Sequence, residues 1–206
     1  SSLAQIYGLG NLTQLTELGI FGCSSLTQIP GLENLTLLTN LDLSGCSSLA
    51  QIPGLENLTQ LTRLDLSGCS NLVQISGLEN LTHLTYLDLS GCSSLEQISG
   101  LENLTLLTHL DLSRCKKLTV LPDGLLRLHS LHRLNLSDME LETLPDWLPD
   151  IAEGFSLDRF TFQTSFYRAI VNLYGTTVAD MPDMSIFTQP YGMVVKWFRD
   201  RKKKNT

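Results

Sequence analysis

The sequence predicts a solenoid of α/β class, in which short coils stack side by side and each gives one strand to a parallel sheet. Three observations carry this. Cysteines stand at positions 23, 46, 69, 92 and 115, so that every interval is 23 residues. Leucine fills 44 of 206 positions, and 42 of those leucines precede residue 149. The run Leu41-Asp42-Leu43-Ser44-Gly45-Cys46 returns as Leu64 to Cys69 and Leu87 to Cys92, with looser copies at Leu18 to Cys23 and Leu110 to Cys115. Self-similarity at a fixed period of roughly 20 to 50 residues marks stacked architectures.

Each repeat opens with an alternating x-Leu-x-Leu-x stretch, which has the period of a strand, and adjacent repeats are expected to pair these strands in parallel. The rest of the coil carries Pro30, Pro53 and recurrent glycines, which suit irregular or 3₁₀ backbone on the opposite, convex side. Leu41, Leu43, Cys46, Leu49, Ile52, Leu55, Leu58 and Leu61 are the inward positions of one copy. So few apolar side chains cannot offset the entropy of ordering a whole coil, so neighbours must stack. The sixth copy slips: Leu134-Asn135-Leu136 lies 24 residues beyond Leu110, and Met139 replaces the cysteine.

Ser1 to Ile6 repeats Ser47 to Ile52 residue for residue, so the chain starts in mid-repeat. A fragment of a longer protein is expected, with a mature protein that tolerates a bare end as the alternative. Residues 1–148 are read as about six repeats, the first truncated. Six of the seven phenylalanines follow residue 154, which points to a different kind of packing. Residues 149–200 are read as an aromatic-rich C-terminal cap, with Phe155-Ser156-Leu157 as a last strand, or as a connector. Residues 201–206 are read as a basic disordered tail.

The residues that flank the buried leucines form columns on the concave face. One varies: Glu17, Asn40, Arg63, Tyr86, His109 and Arg133. The next is nearly constant: Gly19, Asp42, Asp65, Asp88, Asp111 and Asn135. The third is Phe21, Ser44, Ser67, Ser90, Ser113 and Ser137. Carboxylates in line repel by about 1 kcal/mol per adjacent pair in water. Compensation is expected from Arg63, His109 and Arg133, from a basic partner or from a cation, unless the aspartates are merely duplicated and solvated. Tyr and Arg are the types enriched at the energetic centres of interfaces, which makes the variable column the better candidate for recognition.

Leu61, Leu64, Leu66, Cys69 and Leu72 resemble the leucine-rich repeat pattern L-x-x-L-x-L-x-x-N/C-x-L, over about residues 3 to 148. One departure is the two residues between Cys69 and Leu72, where the shorter pattern has one. Gly54 to Thr59 is similar to bacterial internalin-type repeats, and Leu-Asp-Leu-Ser-Gly-Cys-Ser-Ser-Leu to those of plant nucleotide-binding immune receptors. The resemblance implies a leucine-rich-repeat solenoid, a right-handed horseshoe with a parallel concave sheet. It also implies that the cysteines fill the inward Asn/Cys position, and that the function is protein binding.

Cys23, Cys46, Cys69, Cys92 and Cys115 are therefore expected to be buried structural thiols, not disulfides or metal ligands. One thiol per repeat and the lack of C-x-x-C favour a reducing compartment, taken as the cytoplasm. Asn11, Asn34, Asn57, Asn80, Asn103 and Asn135 each begin a glycosylation tripeptide, which repetition explains without modification. No G-x-x-x-x-G-K-[ST], H-E-x-x-H or G-x-S-x-G motif occurs, so no enzymatic activity and no cofactor are expected. His109, Asp111 and Ser113 alternate on one strand as column members and are not read as a triad. His129 and His132 are read as surface residues, with no metal. No apolar run approaches the roughly 18 residues of a membrane span. A net charge of -7 argues against nucleic acid, although Lys196, Arg199 and Arg201 to Lys204 hold six of the 14 basic residues.

The leading reading is a non-enzymatic module, monomeric or weakly self-associating, that binds a protein on its concave face through Arg63, Tyr86, His109 and Arg133. Asp42, Asp65, Asp88 and Asp111 would add electrostatic selectivity. The alternatives are the regulatory arm of a larger NTPase, as in Roco-like proteins, and a secreted internalin-like adhesin.

Overall fold

The computed structural model describes residues 4–141 and the backbone of residues 159–161. Its strands are β1 (Glu17–Gly19), β2 (Asn40–Asp42), β3 (Arg63–Asp65), β4 (Gln74–Ile75), β5 (Tyr86–Asp88), β6 (Gln97–Ile98), β7 (His109–Asp111), β8 (Arg133–Asn135) and β9 (Arg159–Thr161). Seven of them form one parallel sheet in the order β1-β2-β3-β5-β7-β8-β9. The repeat fixes its register, since Leu18, Leu41, Leu64, Leu87, Leu110 and Leu134 stand opposite one another in turn. A slip of one residue would turn every leucine out to solvent.

Opposite the sheet, each coil returns through a single 3₁₀ turn: η1 (Leu9–Asn11), η2 (Leu32–Asn34), η3 (Leu55–Asn57), η4 (Leu78–Asn80), η5 (Leu101–Asn103) and η6 (Asp123–Arg127). Gly77, which opens η4, has φ 89°, and a Cβ there would lie 2.6 Å from the Glu56 nitrogen. Only glycine combines this left-handed backbone with so close an approach of the preceding coil. The extra residue of the sixth copy is taken up on this side. The turn η6 runs for 5 residues where η1 to η5 run for 3, and β8 stays in register with β7.

A second, two-stranded sheet pairs β4 with β6, a feature absent from the sequence reading. It lies where Ser76 and Ser99 replace Pro30 and Pro53, and proline has no N–H to give to a ladder.

Between sheet and arc runs one continuous core, from Leu9 to Leu141, in which Leu41, Leu43, Leu64, Leu66, Leu87 and Leu89 are completely buried. Coils are joined by ladders as well as by packing. Thr39, Thr62, Thr85 and Thr108 hydroxyls each donate to the carbonyl of the equivalent threonine one coil earlier, at 2.9 to 3.1 Å. On the arc, the amides of Asn57, Asn80 and Asn103 donate to the Glu33, Glu56 and Glu79 carbonyls.

At the far end the strand that continues the sheet is Arg159–Thr161, with Phe160 opposite Leu134. The strand expected at residues 155–157 lies outside the described residues. The cap or connector at 149–200, Arg159–Thr161 apart, and the tail at 201–206 also lie outside the described residues.

Candidate recognition face

The first two columns stand on the sheet as the alternation requires and the third, Phe21 to Ser137, lies just past the strand ends, with Asp42, Asp88 and Asp111 half-buried and Asp65 buried. Their first task is local. The Oδ1 atoms of Asp42, Asp65, Asp88 and Asp111 accept the N–H of Ser44, Ser67, Ser90 and Ser113 at 2.8 to 3.1 Å, and Asn135 accepts from Ser137 in the same way. Each is an Asx turn that bends the chain out of its strand.

The second oxygen is also used in three of the four aspartates. Arg63 Nη2 pairs with Asp65 Oδ2 at 3.2 Å, Tyr86 donates its hydroxyl to Asp88 Oδ2 at 3.3 Å, and Asn135 Nδ2 donates to Asp111 Oδ2 at 2.8 Å. Repulsion along the row is thus relieved mainly by hydrogen bonds within and between coils. Arg63 supplies an ion pair, and among the described residues His109 and Arg133 make none with the aspartates. Burial, opposed by the Ser90 hydrogen bonds, still pushes the Asp88 carboxyl above its usual range, and Asp111 and Asp65 add to the shift.

In the variable column the side chains lie on one another. The Arg63 guanidinium sits 3.6 Å above the centre of the Tyr86 ring, a cation–π contact. The Tyr86 and His109 rings are 5.8 Å apart and tilted by 31°. His109 Nδ1 lies 2.7 Å from the Thr108 hydroxyl. Burial holds the His109 pKa below the ordinary histidine value, and Arg133, His132 and Arg63 push it the same way. Burial likewise raises the Tyr86 pKa, with Asp88 adding to it.

Tyr86, His109, Asp111, Arg133 and Asn135 line a hollow of about 230 Å³ over β5, β7 and β8. Asn135 stands where the sequence places it, in the aspartate column, while Thr108, which holds His109 from one residue before the column, is the partner that reading the sequence did not single out. The bonds from Thr108 to Thr85 and from Asn135 to Asp111 depend on the preceding coil. The hydrogen bonds of His109, Asp111 and Ser113 run to Thr108, to the Ser113 N–H and to Asn135, so these three do not form a relay.

Cys46, Cys69, Cys92 and Cys115 are fully buried, and each donates its thiol to a carbonyl 26 residues earlier at 3.0 to 3.3 Å. Burial pushes the Cys69 and Cys115 pKa values up to about 12 and also raises those of Cys46 and Cys92. Cys23 departs from the expected set, being only half-buried, because it lies near the edge of the described stack, where packing covers it from fewer sides. His129 and His132 are exposed. Among the described residues no three His, Cys, Asp or Glu side chains gather as a metal set, and no helix is long and apolar enough to cross a membrane.

Residues 59–103 match a family model described as "Leucine Rich repeats (2 copies)" and residues 106–128 one described as "Leucine Rich Repeat". No curated protein matches the chain. Among solved structures, internalin C2 of Listeria monocytogenes str. 4b F2365 is similar at 26% identity over 78% of this chain and 76% of that one, with a TM-score of 0.46. The functional domain of InlJ from Listeria monocytogenes, described as including a cysteine ladder, is 21% identical over 78% of this chain and 46% of that one, TM-score 0.37. TLR13, in a complex with ssRNA13, is 25% identical over 74% of this chain and 26% of that one, TM-score 0.48. This chain therefore spans less than half the length of the latter two.

Proposed function

Starting from a chain built of leucine-rich repeats, we propose that it is a non-enzymatic recognition module that binds a protein partner on its strand-lined face. One observation carries the reading. Coils that repeat nearly residue for residue differ in the column Arg63, Tyr86, His109 and Arg133, and that column joins cation, aromatic ring and imidazole in one stack. Residues freed from the demands of the fold are where specificity is placed, and stacked Arg and Tyr keep little conformational freedom to lose on binding.

The aspartates have a changed part in this proposal. With their oxygens committed to Asx turns and to Arg63, Tyr86 and Asn135, they stiffen the face and hold the ladder in place instead of selecting a partner by charge. The fully buried thiols have no need of oxidation, which supports assigning the module to a reducing compartment such as the cytoplasm.

The test is capture followed by titration. A purified partner, obtained by in-cell crosslinking through the strand face, should bind the unaltered chain and lose at least about tenfold in affinity to the triple variant R63A/Y86A/H109A. Replacing Glu33, Glu56 and Glu79 on the arc by Gln should leave binding unchanged. Equal binding by the first variant, with its fold intact by circular dichroism, would remove the concave face from consideration.

A further inference from the structure

The hollow over β5, β7 and β8 is unequal in what it leaves open. Its side-chain oxygens are already engaged: Asp111 takes the Ser113 N–H on one oxygen and Asn135 Nδ2 on the other, and Asn135 Oδ1 takes both the N–H and the hydroxyl of Ser137. The Tyr86 hydroxyl is directed at Asp88. Beside them stand donors with room to bind. The Arg133 side chain is exposed and makes no ion pair among the described residues, unlike Arg63 and Arg114. The Asn135 amide keeps a second N–H. A guanidinium with no carboxylate partner among the described residues, beside a shaped wall of two rings, is built to take a planar anion by a forked pair of hydrogen bonds.

We propose that this hollow is a carboxylate pocket, in which Arg133 and His109 anchor an acidic side chain of the partner protein; the assignment rests on the concave-face reading above. His109 gives the pocket a proton linkage. Thr108 spends its hydroxyl proton on the Thr85 carbonyl, so toward His109 it is an acceptor, and Nδ1 carries the ring hydrogen. The neutral ring then presents Nε2 as an acceptor, facing the anion with the wrong polarity. Binding a carboxylate requires Nε2 to take up a proton. In the free chain that proton is disfavoured by burial and by Arg133, His132 and Arg63, with Asp111 and, in register with it on β5, Asp88 the acidic groups of the neighbouring strand positions among the described residues. A bound anion reverses that balance. Affinity for the acidic partner therefore rises as pH falls from about 7.5 to about 5.5, by roughly three- to tenfold.

The experiment is a nuclear magnetic resonance titration of the full chain at about pH 6 with three small probes. N-acetylglutamate α-amide carries only a side-chain carboxylate, N-acetylglycine only a terminal one, and N-acetylglutamine α-amide none. The His109 ring and Arg133 Nε signals should move with the first probe, not with the third, and stop moving in Arg133→Gln. The His109 pKa should rise on saturation with the first probe. Arg127→Gln, on the arc, should respond as the unaltered chain does. A response to N-acetylglycine alone would overturn the acidic side chain as the occupant. No movement at millimolar probe, equal movement with the neutral probe, or persistence in Arg133→Gln with the sheet signals intact would overturn the pocket itself. If R63A/Y86A/H109A abolishes partner binding while Arg133→Gln leaves both its strength and its pH profile unchanged, the pocket falls and the recognition face stands.

Discussion

The concave sheet and the convex arc solve the same problem, joining one coil to the next, by opposite means. On the arc the contact is between backbones: Gly54, Gly77 and Gly100 lie so close to Glu33, Glu56 and Glu79 that a Cβ would come within 2.6 Å of the preceding coil, and the same Leu-Glu-Asn is repeated to meet it. On the sheet, β-ladder hydrogen bonds hold the strands, and the outward side chains at the variable column meet one another and the aspartates without setting how closely the backbones approach. The comparison teaches where this fold tolerates chemistry. Repetition is enforced where backbones touch and relaxed where a side chain only meets its neighbour in solvent.

Several substitutions break or sharpen that contrast. The largest effect is expected from Leu64→Ala, at the leucine of the central strand β3, fully buried between sheet and arc. Emptying it should cost about 2 to 5 kcal/mol in urea unfolding and weaken both sides together. Gly77→Ala comes next, since it forces both a left-handed alanine and a clash with Glu56. A loss of about 2 kcal/mol or more is expected, and a loss near zero would undo the account of the arc. Asn80→Ala removes one amide-to-carbonyl bond of 3.2 Å at an exposed site and should cost about 1 kcal/mol.

The smallest change is expected from Asp88→Asn on the sheet. Asparagine at 135 already makes the same Asx turn, so the fold should hold to within about 0.5 kcal/mol at pH 7. Its sign depends on pH. A carboxyl whose folded pKa is raised penalises the folded state when ionised, at pH above that pKa, and the penalty vanishes as pH falls below the unfolded value. Asp88→Asn should therefore be neutral to slightly stabilising at pH 7, with any advantage gone at about pH 3. A growing advantage toward acid would show that burial does not dominate at Asp88.

Reading the sequence recovered the strands because a row of leucines at a constant interval admits only one register that buries them all. Columns of Arg63, Tyr86, His109 and Arg133 follow from the same register. Three features did not. The strand at Arg159–Thr161 has no repeat to announce it, and only its pairing with β8 places Phe160 opposite Leu134. The pairing of Gln74–Ile75 with Gln97–Ile98 joins two coils that carry Ser76 and Ser99 in place of proline, and nothing else in the repeat marks it. The roles within the columns also escaped, because Asp42 to Asp111 look like a charged stripe until the N–H groups two residues on are seen to occupy them.

By itself, then, the amino-acid order determined the coil, its period, its inside and its outside, since hydrophobic burial answers to spacing along the chain. Tertiary structure alone decided which polar atoms are spent and which stay open. Hydrogen bonds such as Asn135 to Asp111, 24 residues apart, exist only once neighbouring coils are within a few ångströms. Among the described residues Arg133 makes no ion pair, while Arg63 is paired with Asp65 and stacked on Tyr86.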